Sequence, residues 1–353
     1  MTTEEKLLGL LRESLFGVAF DGDICPEEGE LLIELADKQA VTGIVIDSLF
    51  KKNVRMGQRV VLQAFSHLEQ IKQNNKWLNR EVAVFARLMA DTKTDYIVIK
   101  GQTLATLYPE PLVRMPGDID FLVKDYQHAA SALKENWGID LPIKMKEKEV
   151  AFSHGNALYE LHTYLINFGS DKHKRCWEKA LARSKPTTLR IGNEEVKVME
   201  PTLYCAYVFL HLFFHFVHEG VGLRHLCDWA MIMYRWYDEI EKERLVELLE
   251  NVGMLKAFLA FGSILVDNFG LKTLPLPLTK KERKWQSMIL KDVMQGGNFG
   301  RENRKAKQIG LRYKAETMFF TLRNSLRYFS LAPTEMLLLP YRRMVVNLKL
   351  IVN

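Results

Sequence analysis

The stretch YIVIKGQTLATLYPEPLVRMPGDIDFLVK, Tyr96 to Lys124, decides how the rest of the chain is read. It opens with a short apolar run of strand character, Tyr96 to Ile99, bounded by Lys100 and Gly101. A helical piece, Gln102 to Tyr108, is expected next and stops at Pro109. A loop with Pro111, Arg114, Pro116 and Gly117 then leads into a second strand, Asp118 to Val123. Side chains alternate along a strand, so Asp118 and Asp120 point to one face. Ile119 and Leu122 are expected to point the other way, into a core. Two like charges this close are costly unless a cation lies between them. Such a pair is what holding Mg²⁺ against phosphate oxygens requires.

The order Lys100-Gly101, Tyr108-Pro109, Arg114 and Asp118-Ile119-Asp120 resembles the nucleotidyltransferase fold. It is most similar to a bacterial branch that carries Lys-Gly in place of Gly-Gly or Gly-Ser. Glu160-Leu161-His162, in LYELHTYL, extends the resemblance. The likeness is sharp over the quoted stretch and weaker through the helices to residue 235.

The resemblance implies an α/β (α+β) fold, with a nucleotidyltransferase-like mixed-sheet core flanked by N- and C-terminal helical regions. It implies transfer of a nucleoside monophosphate from an NTP, with ATP the first choice, to an acceptor that is a small molecule, a protein or an RNA. Mg²⁺ or Mn²⁺ would serve, held by Asp118 and Asp120. Glu160 would complete the catalytic set as a third carboxylate or act as base on the acceptor hydroxyl. Lys100, Gly101, Gln102 and Arg114 are the implied nucleotide-binding residues. Similar His and Arg…Asp positions recur in the resembled family, so His162, His211, His215, Arg224 and Asp228 are candidates for an acceptor cleft. Two departures stand out: Gln102 replaces a Ser, and Glu160 replaces an Asp. They raise the alternative of a catalytically silent nucleotide-binding or scaffold protein of the same fold.

Composition sets the outer bounds. The 353 residues are 48% hydrophobic and 26% charged, which is ordinary for a globular protein with ample core. A net charge of +6 permits a phosphate-bearing partner without requiring one. Cys25, Cys176, Cys205 and Cys227 form no Cys-x-x-Cys pair, so free buried thiols in a reducing cytoplasm are expected. The opening MTTEEKLLGLL is acidic where a signal peptide is basic. No apolar run reaches membrane-spanning length; Leu203 to Val217 comes nearest and contains His211 and His215.

Taken in order, residues 1–90 read as a helical region without a catalytic constellation, and residues 91–200 as the α/β core. Within that core, Asp125 to Trp137 reads as a helix capped by Asp125 and stopped by Gly138. Strand pieces are expected at Asp140–Lys144, Val150–His154 and Ala157–Ile166, the last two joined at Gly155-Asn156. The last strand would put Glu160, His162 and Tyr164 on one face. A hairpin turning at Gly192-Asn193 follows. Residues 201–353 read as a C-terminal helical domain with a basic end containing Arg323, Arg327, Arg342 and Arg343. Such a stretch is an amphipathic helix with solvated cations, or a surface for RNA or an anionic membrane.

Overall fold

A computed structural model describes residues 1–143, 148–272, 274–305 and 310–352. In chain order the elements are α1 Thr3–Phe16, α2 Pro26–Lys38, α3 Thr42–Lys51, α4 Gln58–Asp91, β1 Tyr96–Val98, α5 Gln102–Ala105, β2 Ile119–Val123 and α6 Tyr126–Trp137. Next come β3 Glu149–His154, β4 Ala157–His162, α7 Asp171–Arg183, β5 Thr187–Ile191 and β6 Glu194–Val198. The remainder is helical: α8 Pro201–His218, α9 Leu223–Arg235, α10 Lys242–Asn251, α11 Leu255–Asp267, α12 Lys280–Arg283, α13 Gln286–Gly296, α14 Leu311–Arg327 and α15 Pro333–Val352. The chain divides into two compact units. One comprises residues 1–60, 168–183 and 201–353; the other comprises 61–167 and 184–200.

The second unit holds a four-stranded mixed sheet in the order β1-β2-β4-β3. β1 runs antiparallel to β2, β2 parallel to β4, and β3 antiparallel to β4. One face of the sheet is apolar. Val98, Phe121, Tyr159 and Leu161 pack there against Phe85 and its neighbours on α4. The Phe85 ring lies 4.1 Å from Phe121 and 5.6 Å from Tyr96, centroid to centroid. Phe152 stacks on Tyr159 at 5.2 Å. β5 and β6 form the separate hairpin expected around Gly192, whose φ of 61° suits the turn.

Several expectations need correction. The helix after Gly101 is a single turn, Gln102 to Ala105, rather than a segment reaching Tyr108. Leu122 does not face the core with Ile119. The period of two puts it on the Asp120 side, where it pairs with His162 across the parallel ladder. β4 ends at His162, so no strand fixes the direction of Tyr164. Residues 140–143 join no strand, and Lys144 lies outside the described residues. Of the four thiols, all free, only Cys205 and Cys227 are buried; Cys25 is exposed. Among the local readings that hold, Asp125 Oδ1 accepts from the His128 N–H at 3.0 Å, and Gly138 closes α6 at φ 69°.

In the first unit, α8 owes its apolar character to burial on all sides. Phe209 packs on Trp229 and Phe258, each at 5.0 Å. No helix among the described residues is long and apolar enough to cross a membrane. A buried glutamate ties two distant segments together. Glu335 accepts from the Gly169 and Ser170 N–H groups at 2.5 and 3.1 Å, and meets His173 Nδ1 at 2.7 Å.

The Phe85 contacts give a direct expectation. Phe85→Ala removes the ring that joins α4 to three strands and should cost about 3–5 kcal/mol in urea unfolding. A loss below 1 kcal/mol would mean that α4 does not cover this face.

Candidate active site

The polar face of the sheet is built by register. Asp120 on β2 lies directly opposite Glu160 on β4, and Glu160 opposite Ala151 on β3. His162, two residues along β4, shares the face and lies opposite Glu149. The sheet therefore brings together side chains that are 40 residues apart in the chain. Ligand atoms of Asp120, Glu160 and His162 all lie within 4.8 Å of one another.

Asp120 is 1% exposed, and a carboxylate so buried needs compensation. Lys100 Nζ lies 2.9 Å from its Oδ1, and His162 Nε2 lies 3.0 Å from the same atom. Burial alone would push the Asp120 carboxyl up. The Lys100 charge and the His162 contact outweigh it and hold the group below the usual carboxylate range. Lys100 thus compensates the buried charge of Asp120.

Glu160 has the opposite balance. Burial, then the charges of Asp120, Asp118 and Glu149, push its carboxyl up to about 8, and Lys100 opposes them only in part. Burial also pushes the His162 imidazole down, against the pull of Asp120. Glu160 Oε2 lies 3.7 Å from His162 Nε2. On the other side of the ring, Glu149 Oε2 lies 3.2 Å from Nδ1. That Nδ1 has no aligned hydrogen bond to Glu149 or to any other group. Burial pushes the Glu149 carboxyl up, but Lys148 and then His162 more than offset this and keep it low. Glu149 thus lies where a metal-ligating histidine has its carboxylate partner, without the hydrogen bond such a partner accepts. Glu149 was missed in the sequence because its role depends on the β3–β4 register rather than on a motif.

The turn before the site requires glycine. Gly101 sits at φ 65°, and a Cβ there would lie 2.8 Å from the Asp118 carbonyl oxygen. Asp118 itself is half-buried just ahead of β2. Ile99 N–H donates to the Asp120 carbonyl at 3.0 Å, extending the β1–β2 ladder into this turn. Gln102 points away from solvent. Its Nε2 donates to the Asn75 carbonyl at 3.2 Å and to Asn79 Oδ1 at 2.6 Å. Arg114 is also buried, and its carbonyl accepts from Asn75 Nδ2 at 2.8 Å. Of the candidate residues, Lys100, Asp120, Glu160 and His162 converge in the second unit. His211 and His215 on α8, and Arg224 and Asp228 on α9, belong to the first unit. There the His211 and His215 rings lie 4.4 Å apart, with His225 at 6.2 Å from His215.

The raised Glu160 group makes stability depend on pH. The folded state keeps a proton that the unfolded chain gives up near 4.5, so folding binds protons between those values. The stability from this group is full below about 4.5 and is lost as pH rises through about 8. Urea unfolding without divalent ions should therefore show a decline over this window that Glu160→Gln flattens. An unchanged slope in that variant would contradict the assignment.

Three comparisons bear on this arrangement. No curated protein matches the sequence. The crystal structure of an antigenic nucleotidyltransferase-like protein from Paracoccidioides brasiliensis is similar, with 14% identity and a TM-score of 0.32; the likeness covers 61% of this chain and 92% of that one. The profile of a family described as uncharacterised nucleotidyltransferase matches residues 26–270. That match takes in most of the chain, including Lys100, Gly101, Asp118, Asp120, Glu160 and His162. The chain belongs to this uncharacterised nucleotidyltransferase family.

Proposed function

We propose that the protein transfers a nucleoside monophosphate from an NTP, with ATP the first choice, to an acceptor hydroxyl or phosphate in the cytoplasm. The observation that carries this reading is the convergence of Asp120, Glu160 and His162 donor atoms within 4.8 Å in a chain of this family. These three residues would hold a divalent cation, with Asp118 beside them at the entrance to β2. When bound, such a cation supplies positive charge to phosphate oxygens during transfer. The carboxylates suit Mg²⁺ or Mn²⁺, and the imidazole of His162 tilts the set towards Mn²⁺.

The chain's own residues supply the remainder. Lys100, beside Asp120, adds positive charge for the phosphates. Gly101 lets the backbone turn closely over Asp118. Gln102 and Arg114 act from behind, fixing this loop to α4 through Asn75 and Asn79. Glu149, behind the ring, would orient His162 by accepting from its Nδ1. We also assign acceptor recognition to His211, His215, Arg224 and Asp228 of the first unit.

One observation favours a second reading, a silent nucleotide binder. Gln102 stands where the resembled pattern has a hydroxyl, and its amide is committed to α4. Its side chain offers the phosphates no donor unless those bonds break.

Calorimetry should detect ATP binding that needs Mg²⁺ or Mn²⁺, tighter with Mn²⁺. Equal binding in EDTA would remove the cation-bridged site. Asp120→Asn should lower turnover by orders of magnitude, because a charged ligand of the cation is lost. It should also destabilise the protein, because Lys100 then loses its buried partner. This sign differs from the stabilisation that repulsion between carboxylates alone would give. Glu160→Gln separates its two roles. As a ligand, nucleotide affinity and turnover fall together; as a base, turnover alone falls, by about 10²–10⁴-fold. Binding with no transfer to any acceptor, unaffected by Glu160→Gln, would establish the silent reading.

A further inference from the structure

The helix α14 is built inside out. Its buried side carries Thr317, Thr321 and Ser325, all 3% exposed or less. Those small polar residues are buried because α8 ends there. Asn324 Nδ2 donates to the Phe216 and Val217 carbonyls, and His218 Nδ1 meets Thr321 Oγ1 at 3.1 Å. The Thr317 and Thr321 hydroxyls also bond back to carbonyls of their own helix.

The opposite side is apolar and open. Phe319 is 65% exposed, Leu322 43% and Leu326 78%. Spaced three and four residues apart, they form one stripe, continued by Phe329 just beyond the helix. α15, which packs against α14, exposes Leu337 and Tyr341. Single exposed apolar residues are ordinary, but a stripe on one helix face marks an interaction surface.

The charges beside the stripe select the occupant. Arg323 is exposed next to Leu322, and Arg312, which also meets Glu316 at 3.5 Å, is exposed seven residues before Phe319 on the same side of the helix. Residues 310–353 hold seven Lys and Arg against two Glu, although Arg327 and Arg342 pair with Asp292 and Asp171 outside the segment. A second copy would set these cations against their own likeness, which like-charge repulsion opposes. RNA could stack on Phe319 and Phe329 but would leave the exposed Leu322 and Leu326 without apolar partners. An anionic bilayer meets both demands: acyl chains receive the apolar side chains, and acidic headgroups receive the cations. We infer that the outer face of α14 docks the protein on an anionic membrane surface, lying in the interface without crossing it.

Sedimentation of the full-length protein with phosphatidylcholine vesicles, with and without phosphatidylglycerol, tests this. The protein should sediment only with vesicles containing phosphatidylglycerol, and added salt should release it. Leu326→Glu and Phe319→Glu should abolish binding, with unchanged thermal melting because both side chains are exposed. Arg323→Ala should weaken it about fivefold, the share of one cation near such a surface. No sedimentation with either vesicle, or undiminished binding by Leu326→Glu, would overturn the inference. So would a dimer in light scattering that Leu326→Glu dissociates, or RNA binding that phosphatidylglycerol vesicles do not compete away.

Discussion

The structure of the α/β unit turns on one buried charge. Asp120 is fully enclosed, on a strand whose other side chains are also buried. An unpaired carboxylate in that position would cost several kcal/mol, enough to erase much of a domain's stability. Its compensation comes from two directions, Lys100 in the turn that follows β1 and His162 at the end of β4. Each requires its strand to be in register with β2. The ion pair therefore acts as a check on the assembly of the sheet, because a one-residue slip would turn a partner to the apolar face and leave Asp120 uncompensated.

The two carboxylates of the parallel ladder are held in opposite states by their surroundings. Asp120 has a cation and an imidazole, and stays ionised. Glu160 has burial and three acidic neighbours, and holds a proton into the neutral range. Environments that push paired groups apart are a mark of functional sites, although structural networks also do so. The distinguishing feature here is that the perturbed groups converge, with Glu149 backing the imidazole, instead of being spread along a surface.

Local signals made much of this legible in the sequence. The turn at Gly101, the strand carrying Asp120, the cap at Asp125 and the hairpins at Gly155 and Gly192 each depend on residues close together in the chain. So did the membership of Lys100, Asp120, Glu160 and His162 in one pattern. What could not be read were properties of pairing. The position of Glu149 behind His162 follows from the β3–β4 register, and the salt bridge between Lys100 and Asp120 from the β1–β2 turn. The apolar character of Leu122 suggests a core residue, but period two puts it on the Asp120 face. The inverted α14 was illegible for a similar reason: its Thr and Ser side is buried to satisfy the end of another helix.

The parallel pairing of β2 with β4 also has a consequence for the order in which the chain folds. The β3–β4 hairpin is local and can form early, carrying Glu160 and His162 with it. β2 can join it only after the intervening α6 segment has closed, and non-local pairings of this kind form slowly. Desolvation of Asp120 is tied to that joining step. Until it is complete, the residues of the candidate site are held apart on separate pieces of the sheet, so a partly folded chain has no preassembled set of ligands with which to trap a cation.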